Sequence, residues 1–168
     1  MKDLPARSAC GAADASGLRV ALVVSGYHDV VTGPLRDGAV AALTRAGVHG
    51  DRVVVLSVPG AFEIPFVARE AAATGEFDAV VCLGCVIRGE TPHFDYIASA
   101  VAHGITAASQ ATRVPMTFGV LTTNSRDEAL ARAGPDETNK GWEAAMAAVQ
   151  LAAVRQRLSR LRATGSDQ

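Results

Sequence analysis

Several features are scarce in this chain of 168 residues, and each scarcity excludes a class of protein. Three cysteines, Cys10, Cys82 and Cys85, cannot form a disulfide framework, so we expect a reducing compartment. No apolar run approaches the ~20 residues of a membrane span, and residues 1–17 lack the apolar core of a signal peptide. Sixteen basic and seventeen acidic residues give a net charge of −1, without the basic field of a nucleic-acid binder. We therefore expect a cytoplasmic protein that binds neither nucleic acid nor a membrane.

Sequence motifs for metals and nucleotides are also missing. The four histidines show no ligand spacing, and Cys82 and Cys85 lie three residues apart in a predicted strand, so their thiols should point to opposite faces. No GxGxxG follows the first apolar run. The stretch from Gly134 to Gly141 resembles a P-loop only superficially, because Asn139 stands where that loop has its second glycine. We expect no cofactor and no metal.

Short apolar runs alternate with stretches of helical spacing along the chain. The runs are nearly continuous in Val, Leu and Ile, which predicts strands buried on both faces; they cover residues 19–25, 52–58, 79–87 and 115–122. The helical stretches cover residues 31–46, 62–74, 92–111, 125–133 and 138–161. This alternation predicts an α/β fold, a three-layer α/β/α sandwich with a four-stranded parallel sheet, flavodoxin-like in class.

The same pattern predicts a single domain with two short ends. Residues 18–162 carry the periodic segments and should form the domain. Residues 1–17 mix Ala, Ser, Gly, Asp and Pro without periodicity, so we expect a flexible extension there. Residues 163–168 are expected to form a flexible tail.

The loops after the first two strands hold candidate site residues, since ligands of open parallel sheets bind at the carboxyl ends of strands. Tyr27 offers a face on which a flat ring could stack, with His28 beside it; alternatively, Tyr27 closes the sheet edge and His28 is solvated. Gly60 and Ala61 would let a ligand approach the backbone. Phe62 would supply an apolar wall, and Glu63 would accept hydrogen bonds from hydroxyl groups. Alternatively, Glu63 is only a first-turn carboxylate that the helix dipole favours.

The loop after the third strand predicts an anion site. Gly89 precedes a helix that Thr91 is expected to cap, leaving backbone N–H groups and a hydroxyl for a phosphate. His93, in the first turn, could exchange protons near neutral pH, although a lone histidine is more often structural. Arg132 suits bidentate phosphate contact, although by itself it is also an ordinary cation at a helix C-terminus.

Taken together, four segments resemble the lumazine synthases, which catalyse the penultimate step of riboflavin biosynthesis. They are VPGAFEIP at 58–65, GCVIRGETPHFDY at 84–96, FGVLTT at 118–123 and RAG…NKG at 132–141. Order and spacing match over about residues 18–158. The resemblance implies condensation of 5-amino-6-ribitylaminouracil with 3,4-dihydroxy-2-butanone 4-phosphate to 6,7-dimethyl-8-ribityllumazine, phosphate and water, without a cofactor.

The resemblance also implies a role for each candidate residue. Those expected to bind the pyrimidine and the ribityl chain are Tyr27, Gly60, Ala61, Phe62, Glu63, Val86, Ile87 and Phe118. Those expected to bind the phosphate are Glu90, Thr91 and Arg132, with His93 transferring protons and with Lys140 and His28 as further pocket residues. Phe118 would come from an adjacent subunit, which implies a homo-oligomer, a pentamer, with a decamer or a sixty-subunit shell left open.

One departure from the family keeps a second function in view. Many lumazine synthases have Phe-Asn, often preceded by Arg, where this chain has Gly26-Tyr27-His28. A non-catalytic relative that holds a flavin-like ring, or only assembles, would fit that change, whereas His93 and Arg132 argue for the enzyme. A flavodoxin-like receiver or mononucleotide binder would follow from the fold class alone, but the first strand lacks a matching phosphate motif.

Overall fold

The computed structural model of the protein describes residues 15–164. Along the chain the elements are β1 (Val20–Ser25), α1 (Asp29–Arg45), β2 (Val53–Val58), α2 (Ile64–Ala73), β3 (Ala79–Ile87), α3 (His93–Thr112), β4 (Met116–Thr123), α4 (Arg126–Ala131) and α5 (Lys140–Thr164). The four strands pair in parallel in the order β2-β1-β3-β4. The predicted α/β fold with a four-stranded parallel sheet is confirmed, and each strand lies within one residue of its predicted position.

Two helical layers cover the sheet because successive strand residues point to opposite faces. Leu22 on β1 packs into a core with α1 and α5, whereas its neighbour Val23 packs into a second core with α2 and α3. A third, smaller cluster joins α1 and α4 through Val31 and Ala129. Within residues 15–164, no helix is both long and apolar enough to cross a membrane.

The prediction that all four strands are buried on both faces is wrong for the two edge strands. β1 is buried along its whole length, but Val55 on β2 is 43% exposed and Phe118 on β4 is 46% exposed. The strand order explains the difference, because the helical layers lie over the central strands and leave parts of the outer strands uncovered. The outer side of β4 therefore presents apolar surface in a single chain.

The two predicted terminal segments fall partly outside the described residues. Residues 1–14 of the predicted extension and residues 165–168 of the predicted tail lie there. Within the described part, Ala15 is buried, and its carbonyl accepts a hydrogen bond from the Leu18 N–H at 3.0 Å. At the other end, α5 continues to Thr164, so the first two residues of the predicted tail are helical.

The start of α5 lies so close to α1 that it leaves no room for a side chain. A Cβ atom added to Gly141 would lie 1.9 Å from the Leu35 carbonyl oxygen. On the α1 side, a Cβ atom added to Gly38 would lie 2.6 Å from the Asn139 side chain. Glycine is therefore required at both positions for close packing of the two helices.

We expect Gly141→Ala to destabilise the fold, because the added methyl group meets backbone rather than a flexible side chain. The free energy of unfolding should fall by about 1–3 kcal/mol or more. The matched control is Gly33→Ala, inside α1, where an added Cβ meets nothing within 4 Å. Because Gly33 precedes Pro34, which disfavours a helical backbone at an alanine before it, the usual gain of a helical alanine should be offset, and the free energy should change by less than about 1 kcal/mol. Chemical denaturation of both variants measures the difference, and equal stabilities would contradict the packing argument.

Candidate active site

One pocket of about 900 Å³ lies at the carboxyl ends of the strands, where the loops after β1, β2 and β3 converge. Most of the residues predicted from these loops line it. They are Tyr27, His28, Gly60, Ala61, Phe62, Glu63, Val86, Ile87, Thr91 and His93. The pocket is thus mainly apolar in its walls, with a few polar groups at separate places around it, as small-molecule sites are.

The loop after β1 holds Tyr27 and His28 in a defined arrangement. The Tyr27 N–H donates to the buried Ser25 Oγ at 3.2 Å, and the Tyr27 and His28 rings lie 4.3 Å apart, tilted by 58°. His28 has φ 60° and ψ 48°, a left-handed conformation that histidine tolerates better than most residues. Tyr27 is 65% exposed, so it does not close the sheet edge and its ring is available to a ligand.

The loop after β2 brings small residues and a carboxylate together. The Gly26 N–H donates to the Val58 carbonyl at 2.7 Å, which ties this loop to the preceding one. A Cβ atom on Gly60 would lie 3.0 Å from Glu63 Oε2, so glycine leaves space for that carboxylate. Ala61 is buried, whereas Phe62 is 58% exposed and forms an open apolar wall.

The loop after β3 differs from its prediction in one respect. Thr91 does not cap α3: the helix begins at His93, its preceding residue is Pro92, and no side chain caps this end. The proline, with φ −63°, sets the first turn instead, since its ring fixes a helical φ. Thr91 and His93 nevertheless line the pocket, while Glu90 between Gly89 and Thr91 is exposed and lies outside the lining.

Arg88 fastens this loop to α3, a contact that sequence reasoning missed. Its guanidinium donates to both Asp95 carboxylate oxygens, at 3.0 and 3.3 Å, and stacks over the Phe94 ring at 4.2 Å. Arg88 precedes His93 in the chain and Asp95 follows it, so this ion pair links the start of the loop to the first turn of α3. The pair is exposed, so its role is positioning more than stability.

Three predicted site residues, Phe118, Arg132 and Lys140, lie elsewhere, in a groove of about 580 Å³ between β4 and α5 that we call the β4 groove. The Lys140 backbone N–H donates to the Arg132 carbonyl at 2.9 Å, which brings the backbones of the two residues together. The Arg132 guanidinium donates to the Glu128 carbonyl at 2.8 Å, and the Lys140 ammonium pairs with Glu143 at 2.7 Å. A single chain does not bring these residues into the strand-end pocket.

Asn139 fixes the backbone of the segment that carries both cations. Its side chain, 1% exposed, donates to the carbonyls of Pro34 at 3.1 Å and Gly134 at 2.7 Å. Its side-chain oxygen accepts from the N–H groups of Gly141 at 2.8 Å and Trp142 at 3.3 Å. One buried amide thereby satisfies four backbone groups. The sequence signal is the position of Asn139 directly before α5, where asparagine commonly caps a helix.

The two strand cysteines point to opposite faces, as predicted. Cys82 belongs to the core under α2 and α3, and Cys85 to the cluster under α1 and α4. Burial raises the pKa of the Cys82 thiol to about 12 and that of Cys85 to about 11. Cys85 also lines the pocket. Among residues 15–164, no group of three or more His, Cys, Asp or Glu side chains could hold a metal ion.

Comparison with known proteins gives a consistent result. A family model described as 6,7-dimethyl-8-ribityllumazine synthase matches residues 17–156. A protein of Syntrophus aciditrophicus (strain SB) named 6,7-dimethyl-8-ribityllumazine synthase is 49% identical over 137 residues. That alignment covers 82% of this chain and 89% of the relative. The matched region includes both the strand-end pocket and the β4 groove.

We expect the buried Cys85 to make stability depend on pH above pH 9. Its folded pKa of about 11 exceeds the ordinary value of 9.0, so the contribution is complete below pH 9 and is lost as pH rises toward 11. Over that window the free energy of unfolding should fall by about 1.4 kcal/mol per pH unit for this thiol. Urea titrations at pH 8–11 should show a smaller fall for Cys85→Ala. Parallel profiles for the two proteins would contradict the assignment.

Proposed function

The chain belongs to the 6,7-dimethyl-8-ribityllumazine synthase family, and we propose that its substrates react in the strand-end pocket once a neighbouring subunit's β4 groove completes it. Family membership makes the protein an enzyme of riboflavin biosynthesis that performs a transferase-type condensation of small molecules. One observation supports the pocket above all: residues predicted from three separate loops line the same cavity. The reaction is the condensation of 5-amino-6-ribitylaminouracil with 3,4-dihydroxy-2-butanone 4-phosphate.

The apolar side of the pocket suits the pyrimidine substrate. Tyr27 would stack on the ring, and the half-buried Val86 and Ile87 would flank it from the end of β3. Glu63 would accept hydrogen bonds from ribityl hydroxyls, with the carboxylate held next to Gly60. Phe62 would cover the ribityl chain of the substrate. Fixing the ring in this way orients its amine toward the second substrate, which is where much of the rate should arise.

The other side of the pocket suits the phosphorylated substrate. Thr91 lines it beside Gly89, and we propose that this loop, with Glu90 at its edge, binds the phosphate. Arg132 would add a bidentate contact from the neighbouring subunit. His93, the first residue of α3, would transfer protons between the reacting groups.

We propose that no cofactor takes part. Imine formation, loss of phosphate and ring closure are polar steps, and each moves protons without changing an oxidation state that would demand an external oxidant. A positioned imidazole and an anchored phosphate are the groups such steps need. His93 and the Thr91 loop would supply both.

The position of the β4 groove supports a ring of subunits. Phe118 on β4, Arg132 after α4 and Lys140 at the start of α5 line this groove and not the pocket of their own chain. A head-to-tail ring would set each groove against the next subunit's pocket, and cyclic symmetry would close it. We propose the pentamer that the family resemblance implies, acting in the cytoplasm.

We expect His93→Ala and Arg132→Ala to impair different kinetic constants. Loss of a proton-transfer group should lower kcat by at most about 10²–10⁴-fold. Loss of the guanidinium should instead raise KM for the butanone phosphate, with Arg132→Lys intermediate because it keeps charge but not the planar fork. Steady-state formation of the lumazine chromophore from both substrates measures each constant. An Arg132→Ala enzyme with unchanged KM for the butanone phosphate would exclude a phosphate role for Arg132. If the wild type forms no product but still binds a flavin-like ring, the protein is a non-catalytic relative.

We also expect two impaired variants to restore activity when they assemble together. A Tyr27→Ala/His93→Ala chain keeps a native β4 groove, and an Arg132→Ala chain keeps a native pocket. In a randomly mixed ring, roughly a quarter of the interfaces would pair the two native halves. With the butanone phosphate below its wild-type KM, co-refolded 1:1 mixtures should therefore approach that fraction of wild-type turnover, with separately refolded variants mixed afterwards as the control. If both halves of the site came from one chain, co-refolding would restore nothing.

A further inference from the structure

Arg126, at the start of α4, is the one arginine or lysine among the described residues that line the strand-end pocket. Its side chain is exposed and makes no hydrogen bond or ion pair with another residue of positions 15–164. Two carboxylates, Asp29 and Glu63, also line the pocket, yet neither is paired with it. A full positive charge with five N–H donors is therefore available to a ligand.

The other cations near the site are already engaged within the chain. Arg88 donates to Asp95, and Lys140 to Glu143. Arg132 donates to the Glu128 carbonyl. Arg126 differs from all three because it lies in the pocket with its donors unused.

The fold places Arg126 on the side of the pocket where the ring of the proposed substrate would lie. α4 and α1 pack together on one face of the sheet through Ala129 and Val31. Tyr27 and His28 immediately precede α1 on that side. α3, with the proposed phosphate loop before it, packs on the opposite face. Arg126 therefore shares a face of the sheet with the aromatic loop, while along the sheet its neighbour is the phosphate loop, whose Arg88 N–H donates to the Thr123 carbonyl at 2.9 Å.

We propose that Arg126 binds the carbonyl edge of the pyrimidinedione ring and thereby selects this heterocycle. The inference rests on the proposed function, which puts that ring on Tyr27. The ring carries two carbonyl oxygens in its plane, and both accept hydrogen bonds. The ring N–H between these carbonyls is itself a donor, so the guanidinium would donate to one carbonyl at a time while an aromatic side chain stacks on the ring face, and its charge strengthens that hydrogen bond. The product lumazine keeps the same two carbonyls, so Arg126 should bind substrate and product alike.

The test is Arg126→Gln, which keeps an amide donor but removes the charge and the fork. We expect KM for 5-amino-6-ribitylaminouracil to rise about 10- to 100-fold, as for loss of a hydrogen bond to a charged group. KM for the butanone phosphate should stay unchanged. In titrations followed by lumazine absorbance, Kd for 6,7-dimethyl-8-ribityllumazine should rise by a similar factor. Arg69→Gln, an exposed arginine on α2 outside the pocket, is the matched control and should alter none of these constants.

Two results would overturn the assignment. A rise in KM for the butanone phosphate alone would make Arg126 a phosphate ligand, and unchanged constants in every assay would give it no ligand. The binding titration separates this inference from the proposed function. If the wild type binds the lumazine, Arg126→Gln weakens that binding and no product forms, the proposed function is contradicted and ring binding by Arg126 is supported. If turnover is normal and Arg126→Gln changes no constant, only ring binding by Arg126 is contradicted.

Discussion

The buried amide of Asn139 is the interaction on which the arrangement of α1, α5 and the β4 groove depends. It joins residues far apart in the chain, since it donates to Pro34 in α1 while holding the first N–H groups of α5. Removal of such an amide would leave several backbone groups buried without partners, each costing about 1–3 kcal/mol. Because Arg132 and Lys140 flank this amide in a hydrogen-bonded loop, the same contact that packs two helices also positions two cations.

Strand order then determines why the proposed site is divided. The carboxyl ends of the parallel strands meet at one edge of the sheet, so the loops after β1, β2 and β3 and Arg126 after β4 open into one pocket, whereas β4 is an edge strand whose outer side is uncovered. Phe118 is the third residue of that strand and is 46% exposed, whereas the pocket lies at the carboxyl ends of the strands, so its own chain does not bring it into the pocket. An exposed aromatic side chain near two cationic residues leaves apolar surface in water when the chain is alone. Such a surface is typical of a contact between subunits.

Much of the fold followed from the sequence because the relevant physics is local. Continuous apolar runs locate β1 and β3 within one residue. Ser125 followed by Glu128 three residues later is the pattern of a capping box, and the Ser125 Oγ accepts from the Glu128 N–H at 3.2 Å. The position of the site loops could be predicted because ligands of parallel sheets bind at the carboxyl ends of the strands. The exposure of β2 and β4 could not be predicted, because whether a strand lies at the edge of a sheet depends on tertiary structure. Nor could Arg126, since an arginine in a first helical turn resembles an ordinary solvated residue.

The left-handed backbone at His28 connects the departure from the family motif to this geometry. A residue with φ 60° must tolerate a conformation that costs most side chains about 1 kcal/mol or more, and asparagine and histidine are among those that adopt it most readily. Exchange of one for the other therefore preserves the turn that presents Tyr27, while it replaces an amide with an imidazole at the pocket wall. An amide offers both a donor and a carbonyl acceptor to a pyrimidinedione, and a neutral imidazole offers one of each in a different direction. If the ring lies on Tyr27 as proposed, the His28 imidazole and the Arg126 guanidinium would both offer donors to its carbonyl oxygens from one face of the sheet.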